Sequence, residues 1–155
     1  MNSWGIKMKY KVHIDGGSRG NPGPAASAMV IYDEKGEVLY EKSKYLGFTT
    51  NNVAEWEALK GALMALTFLA QRHGKVEAEI YADSELMVKQ FNGLYKVRDE
   101  KLKEIYAEVR KLASNPALQV TLTHVYRKDN KAADRLVNLE LDKQKNLNID
   151  SENKE

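Results

Sequence analysis

Up to about residue 50 the apolar residues recur at every second position, and beyond it they recur every third or fourth. That change of period splits the chain into an opening run of strands and a following alternation of helices and strands. Tyr10, Val12 and Ile14 alternate with Lys9, Lys11 and His13, a strand that ends at Asp15. Gly16-Gly17-Ser18-Arg19-Gly20-Asn21-Pro22-Gly23-Pro24 is a dense turn signal. Ala25 to Tyr32 reads as a second strand, Asp33-Glu34-Lys35-Gly36 as a hairpin turn, and Glu37 to Leu46 as a third strand. Leu59, Ala62, Leu63, Leu66, Leu69 and Ala70 then fall at helical spacing, which predicts a long helix from about Asn52 to Arg72, stopped by Gly74. Val76, Ala78 and Ile80 give a fourth strand ending near Asp83, and a short helix follows to about Asn92-Gly93. Leu102, Ile105, Tyr106, Val109 and Leu112 define a further helix, Val120 and Leu122 a fifth strand, and a last helix starts near Asn130. The order βββαβααβα predicts an α/β fold, a mixed five-stranded sheet with helices on both faces.

No linker, repeat or low-complexity segment interrupts this pattern, and 155 residues suit one domain. The expected boundaries are an extension over 1–8, a domain over 9–143 and a polar, flexible tail over 144–155. With no cysteine, thiol nucleophiles, disulfides and zinc–thiolate sites are excluded. Met1 to Lys9 lacks the apolar stretch and cleavage site of a signal peptide, and no apolar run approaches the roughly 18 residues of a membrane span. A cytoplasmic monomer, with no membrane contact and no obligate protein partner, is the expectation. The net charge of +2 permits contact with a phosphate backbone without arguing for it. The basic residues at Lys96, Arg98, Lys101, Lys103 and at Arg127, Lys128, Lys131 read equally as solvated faces.

Four carboxylates stand in suggestive places. Asp15 closes the first strand and Asp83 the fourth, while Glu55 and Asp134 lie in the opening turns of the first and last helices. Ligands of open sheets gather outside the carboxyl ends of parallel strands, where helix N-termini also point. Acids without a cysteine or histidine partner suit a hard cation, and a cluster of four repels itself unless a metal neutralises it. Each residue also has a plain structural reading. Asn52 and Glu55 have capping-box spacing, Asp83 suits an N-cap, Asp15 a turn, and Asp134 a helix surface.

Four segments, in order, resemble the motifs of the type 1 ribonucleases H. They are Asp15-Gly16-Gly17-Ser18-Arg19-Gly20-Asn21-Pro22-Gly23-Pro24, Thr50-Asn51-Asn52-Val53-Ala54-Glu55, Tyr81-Ala82-Asp83-Ser84 and Asn130-Lys131-Ala132-Ala133-Asp134. The resemblance covers about residues 8 to 142. It implies cleavage of the RNA strand of RNA–DNA hybrids, with Asp15, Glu55, Asp83 and Asp134 as catalytic residues holding two Mg²⁺ ions, for which Mn²⁺ substitutes. In the two-metal scheme one ion serves the attacking water and the other the leaving 3′ oxygen, giving 5′-phosphate and 3′-hydroxyl ends. The resemblance further implies substrate contacts from Gly16, Asn21, Asn51 and Asn52 to the sugar edges of the hybrid, and from Thr50 to a DNA phosphate.

The sequence also departs from the family pattern. Many members carry a histidine between the last strand and last helix, where this chain has Tyr126-Arg127-Lys128-Asp129-Asn130-Lys131. His124 precedes that loop at a position read as packing, which leaves Arg127 as the cation to orient a phosphate or a departing product. The extra basic helix of some members is missing between Asn92-Gly93 and the next helix, and Glu85 stands where an amide is common. Trp56, Tyr95 and Tyr106 read as core aromatics. A non-catalytic hybrid-binding module of the same fold is the main competing reading, and loss of one acid would mark it. A phosphotransferase of the actin and sugar-kinase type needs two such domains, and the paired asparagines before Glu55 speak against an integrase or resolvase.

Overall fold

The computed structural model describes residues 7–153. Ten elements follow one another: β1 (Met8–Ser18), β2 (Gly23–Tyr32), β3 (Val38–Thr49), α1 (Asn51–His73), β4 (Val76–Ala82), α2 (Glu85–Phe91), α3 (Glu100–Ala113), β5 (Leu118–His124), a 3₁₀ turn (Arg127–Asp129) and α4 (Lys131–Asn153). The strands form one sheet in the order β3-β2-β1-β4-β5. β1 pairs antiparallel with β2 and parallel with β4, and β4 pairs parallel with β5. The expected α/β fold and element order therefore stand.

Period-two patterning decides which face of each strand meets which helix. Tyr10, Val12 and Ile14 of β1, Met29 and Ile31 of β2, and Val76, Ala78 and Ile80 of β4 meet Trp56, Leu59, Leu63 and Leu66 of α1. Fully burying one such leucine contributes roughly 1.5–3 kcal/mol. On the opposite face Ala26 and Ala28 of β2 lie under Val137 and Leu141 of α4. Methyl side chains on that side of β2 let a helix approach closely. The outermost strand β3 has exposed Val38, Leu39 and Tyr40, and its pairing with β2 is irregular at Ala25/Ala26 and at Ile31/Tyr32.

Several boundaries differ from the sequence reading. The turn signal at Gly16–Pro24 suggested that β1 stops at Asp15, yet β1 continues to Ser18, paired with β2 through Ser18↔Ala25. The parallel pairing with β4 reaches only His13↔Tyr81. Asp15 thus sits within a strand, just past the point where its parallel neighbour stops. The start of α1 is capped by Thr50, whose Oγ1 accepts from the Val53 N–H at 3.2 Å, and not by Asn52. Glu55 accordingly occupies the second turn. Residues 144–153, which the composition suggested as a polar tail, continue α4 to Asn153. The polar composition that suggested looseness is also that of a solvated helix. The extension over 1–8 and the tail fall partly outside the described residues, at 1–6 and 154–155.

The tightest element contact places the site. A Cβ on Gly16 would lie 2.2 Å from the Ala54 carbonyl carbon and 2.5 Å from the Glu55 nitrogen. Only glycine lets the first turns of α1 rest directly on the β1 backbone. Gly16→Ala must push α1 off the strand, because both colliding groups are main chain. The expected outcome is a loss of at least about 2 kcal/mol of stability. Denaturant unfolding checks it, and an unshifted midpoint would contradict the contact.

Candidate active site

Asp15 and Gly16 of β1, Glu55 of α1 and Asp83 just beyond β4 arrive at one end of the sheet, in a cleft of about 290 Å³. One carboxylate oxygen from each of Asp15, Glu55 and Asp83 lies within 4.8 Å of the others. Asp15 and Glu55 are buried, at 6% and 7% exposure, and Asp83 is half-buried. The Oε2 atom of Glu55 is enclosed and has no hydrogen-bond partner. Like charges at this spacing repel by on the order of 3–4 kcal/mol per pair at an effective dielectric of roughly 20.

That repulsion appears in the acidities. Burial first, and then the charges of Asp83 and Asp134, push the Asp15 carboxyl up to about 7, while hydrogen bonds from the Gly16 N–H and with Glu55 pull it down. Burial, then Asp15 and Asp83, push Glu55 well above the usual carboxylate range. The Gly16 N–H donates to Asp15 Oδ1 at 3.0 Å. Without a cation, the pair keeps protons at pH values where exposed carboxylates have lost them. An orphaned buried oxygen within an acid cluster, and no basic side chain among the three, fits a divalent cation with oxygen ligands.

Asp134 lines the same cleft from the first turn of α4 but stands apart from the trio. Its Oδ1 accepts from Arg127 Nη2 at 3.2 Å, across an exposed guanidinium. The expected cluster of four is therefore three acids together and one nearby, close enough to raise Asp15 and held by a cation.

Among the other expected site residues, Gly16, Asn51 and Arg127 line the cleft. Asn51 Oδ1 accepts from the Ser18 N–H at 2.8 Å and from Ser18 Oγ at 3.0 Å, which occupies the acceptor end of its amide. Asn21 Oδ1 accepts from the Asn51 N–H at 3.0 Å, tying the β1–β2 turn to the start of α1. Thr50 is committed to its cap, and Asn52 is exposed on the first turn. Glu85 does not face the acids; it is exposed and paired with Lys89 at 2.8 Å. His124 ends β5 beside Ala82 and packs edge-on against Tyr126, as its position suggested.

Asn130, which opens the fourth motif, joins the last helix to the sheet. It is 1% exposed, and its Nδ2 donates to the Ile14 carbonyl at 2.8 Å and to Asp83 Oδ2 at 3.2 Å. A polar residue directly before a helix reads as a cap, so local sequence gave no sign that its side chain turns to the sheet.

The family described as reverse transcriptase-like matches residues 13–140. The chain is 38% identical over 136 residues to a bifunctional protein of Mycobacterium tuberculosis, covering 87% of this chain and 36% of that protein. It thus spans about a third of the length of that relative. It is 38% identical over 134 residues to ribonuclease HI of Halobacterium salinarum, covering 86% of this chain and 65% of that one. The solved structure of LC11-RNase H1 in complex with an RNA/DNA hybrid superimposes with a TM-score of 0.82 at 44% identity, covering 87% of this chain and 98% of the other. That protein was isolated from compost by a metagenomic approach.

The weakened acidities have a thermodynamic consequence without metal. Between the unfolded carboxylate value of 3.8 and about 7, the folded protein holds protons on Asp15 that the unfolded chain has released. Stability then falls as pH rises through that window. Glu55→Gln relieves the repulsion above it, and the expected gain at pH 8 in a chelator is a Tm rise of roughly 3–6 °C, shrinking towards zero at pH 4. Thermal melts across pH check this; an equal shift at both pH values would contradict it.

Proposed function

Because the chain belongs to the type 1 ribonuclease H family, we infer that it cuts the RNA strand of RNA–DNA hybrids endonucleolytically, leaving 5′-phosphate and 3′-hydroxyl ends. The observation that carries this reading is the convergence of buried Asp15 and Glu55 and half-buried Asp83, one of whose oxygens, Glu55 Oε2, is unpartnered. Asp15, Glu55, Asp83 and Asp134 are the residues that hold divalent cations, two in number, with Mg²⁺ the natural choice and Mn²⁺ a substitute. Bound there, such cations supply activation of a water nucleophile and stabilisation of negative charge on the leaving oxygen.

The chain's own groups do the rest. Asp15, pushed up to about 7, and Glu55, raised by burial and its acidic neighbours, must release their protons before they act as ligands, so cation binding strengthens as pH rises through those raised values. Asp134, paired with Arg127 at the edge of the same cleft, would complete the set of carboxylates that hold the cations. Arg127, 78% exposed along its side chain, takes the place of the loop histidine and orients a phosphate oxygen or the departing strand. The backbone at Gly16 and the amides of Asn21, Asn51 and Asn52 read sugar edges, including the 2′-hydroxyl that separates RNA from DNA, and Thr50 meets a DNA phosphate. These uncharged contacts favour hybrid shape over base sequence.

Between α2 and α3 the chain runs through Asn92–Asp99 without a helix. We assign this to absence of the extra basic helix, which leaves few cations to release counterions from the substrate. Among the described residues no helix is long and apolar enough to cross a membrane. The catalytic domain is assigned to 9–143, acting as a monomer in the cytoplasm.

A labelled hybrid, single-stranded RNA and duplex DNA, each with Mg²⁺, test the reading in the wild type and Asp15→Asn. Cutting confined to the RNA strand of the hybrid, and reduced at least about 100-fold in the variant, is expected. Hybrid binding without cutting would favour a non-catalytic module of the same fold. Between 50 and 200 mM salt the affinity for hybrid should drop, at a log–log slope near the number of phosphates neutralised. A flat salt response would contradict electrostatic gripping.

A further inference from the structure

His13 lies two residues before Asp15 and so on the same face of β1, directly opposite Tyr81 on β4. Its ring stacks on Tyr81 with centroids 5.0 Å apart at 29°, and meets Tyr32 edge-on at 5.8 Å. Its Nδ1 faces Asn130 Oδ1 at 2.9 Å. The Asn130 amide is fixed at its other end, because Nδ2 spends its two protons on the Ile14 carbonyl and on Asp83 Oδ2. Turning that amide over would set its oxygen against a carbonyl and a carboxylate. Oδ1 must therefore face His13, and at 2.9 Å the contact is attractive only if Nδ1 carries the hydrogen.

We propose that His13 is a positioning residue for Asp83, acting through Asn130: a proton on Nδ1 locks the amide, and the amide holds the carboxylate at the rim of the acid cluster. The two aromatic rings fix the imidazole plane, and the single hydrogen bond sets the carboxylate two residues away in the network. Held in this way, Asp83 needs no rearrangement to meet a cation, whereas a loose carboxylate must be ordered on binding. The inference rests on the proposed function for the meaning of Asp83 as a ligand, and on the hydrogen-bond geometry alone for the tautomer.

Two substitutions separate the donor from the ring. His13→Phe keeps the stack on Tyr81 and removes the donor. His13→Asn loses the stack and puts an amide nitrogen where Nδ1 was. Titration with Mn²⁺ alone, followed by calorimetry, is expected to give a dissociation constant roughly 3–10-fold weaker for His13→Phe, below the ~10–100-fold typical of partners in direct contact with a ligand. His13→Asn is expected within about twofold of wild type on the same scale. A purely packing role predicts the reverse order, with the asparagine variant worse. Wild-type Mn²⁺ affinity in His13→Phe, or equal weakening in both variants, would overturn the proposal. Nitrogen-detected NMR of the wild-type imidazole gives a readout that survives even if a variant fails to fold. The neutral ring should carry its hydrogen on Nδ1, and a neutral ring protonated on Nε2 alone would overturn it. A wild type that binds Mn²⁺ and leaves hybrids intact would count against the proposed function, and the Mn²⁺ and NMR readouts would still judge His13.

Discussion

The approach of α1 to β1 at Gly16 sets the distance scale of everything around it. A helix normally packs on a sheet through intervening side chains, about 10 Å away. Here the helix main chain at Ala54 and Glu55 rests on the strand main chain at Gly16, with no room for a methyl group between them. A glutamate projecting from that turn brings a carboxylate oxygen within 4.8 Å of one on the aspartate beside the glycine. The same contact excludes water from both carboxylates, so proximity and desolvation have a common origin. Asp83 joins because β4 ends at Ala82, one residue past its last pairing with β1, leaving the Asp83 carboxylate at the lip of the gap.

The result is a site under electrostatic tension, held in place by the core. Trp56, Leu59 and Leu63 follow Glu55 on α1 and are among the most completely buried side chains of the protein. Their burial holds the glutamate where repulsion would otherwise expel it. Around the rim, polar groups are committed to one another: Thr50 to its helix, Asn21 to Asn51, Asn51 to Ser18, and Asn130 to β1. Such a network costs little to keep and leaves few degrees of freedom to freeze when a ligand arrives. The region is prepared before anything binds.

Much of this was legible in the sequence, and the limits are physical. Long-range order came from period changes, which are strong in β1 and α1 because both bury one face. Asp15, Glu55 and Asp83 stood out since the patterning puts each near the start or stop of an element, although Asp15 lies inside β1 and Glu55 in the second turn of α1. The length of β1 was underestimated because glycines signal turns, whereas Gly16 is glycine for contact with a helix and its strand continues. The end of α4 was misplaced because a polar helix and a polar tail share a composition. Thr50 rather than Asn52 caps α1, a choice that residue type leaves open, since both can cap. The partners of Asn130 are Ile14, His13 and Asp83, more than 45 positions away in sequence, and no local pattern encodes them.

The outer strand β3 leaves one margin of the sheet with unpaired main-chain groups, a surface on which a foreign strand can add. Three features of that margin discourage such growth. Glu41, Lys42 and Lys44 sit in mid-strand, so an incoming apolar strand would have to strip water from charges of both signs. The irregular pairing at Ala25/Ala26 and at Ile31/Tyr32 twists the ribbon out of the flat geometry that stacked sheets require. The exposed Val38, Leu39 and Tyr40 lie at one end of β3 and the exposed Phe48 at the other, with the charged stretch between them. Charge and irregular pairing thus guard an open border that a foreign strand could otherwise extend.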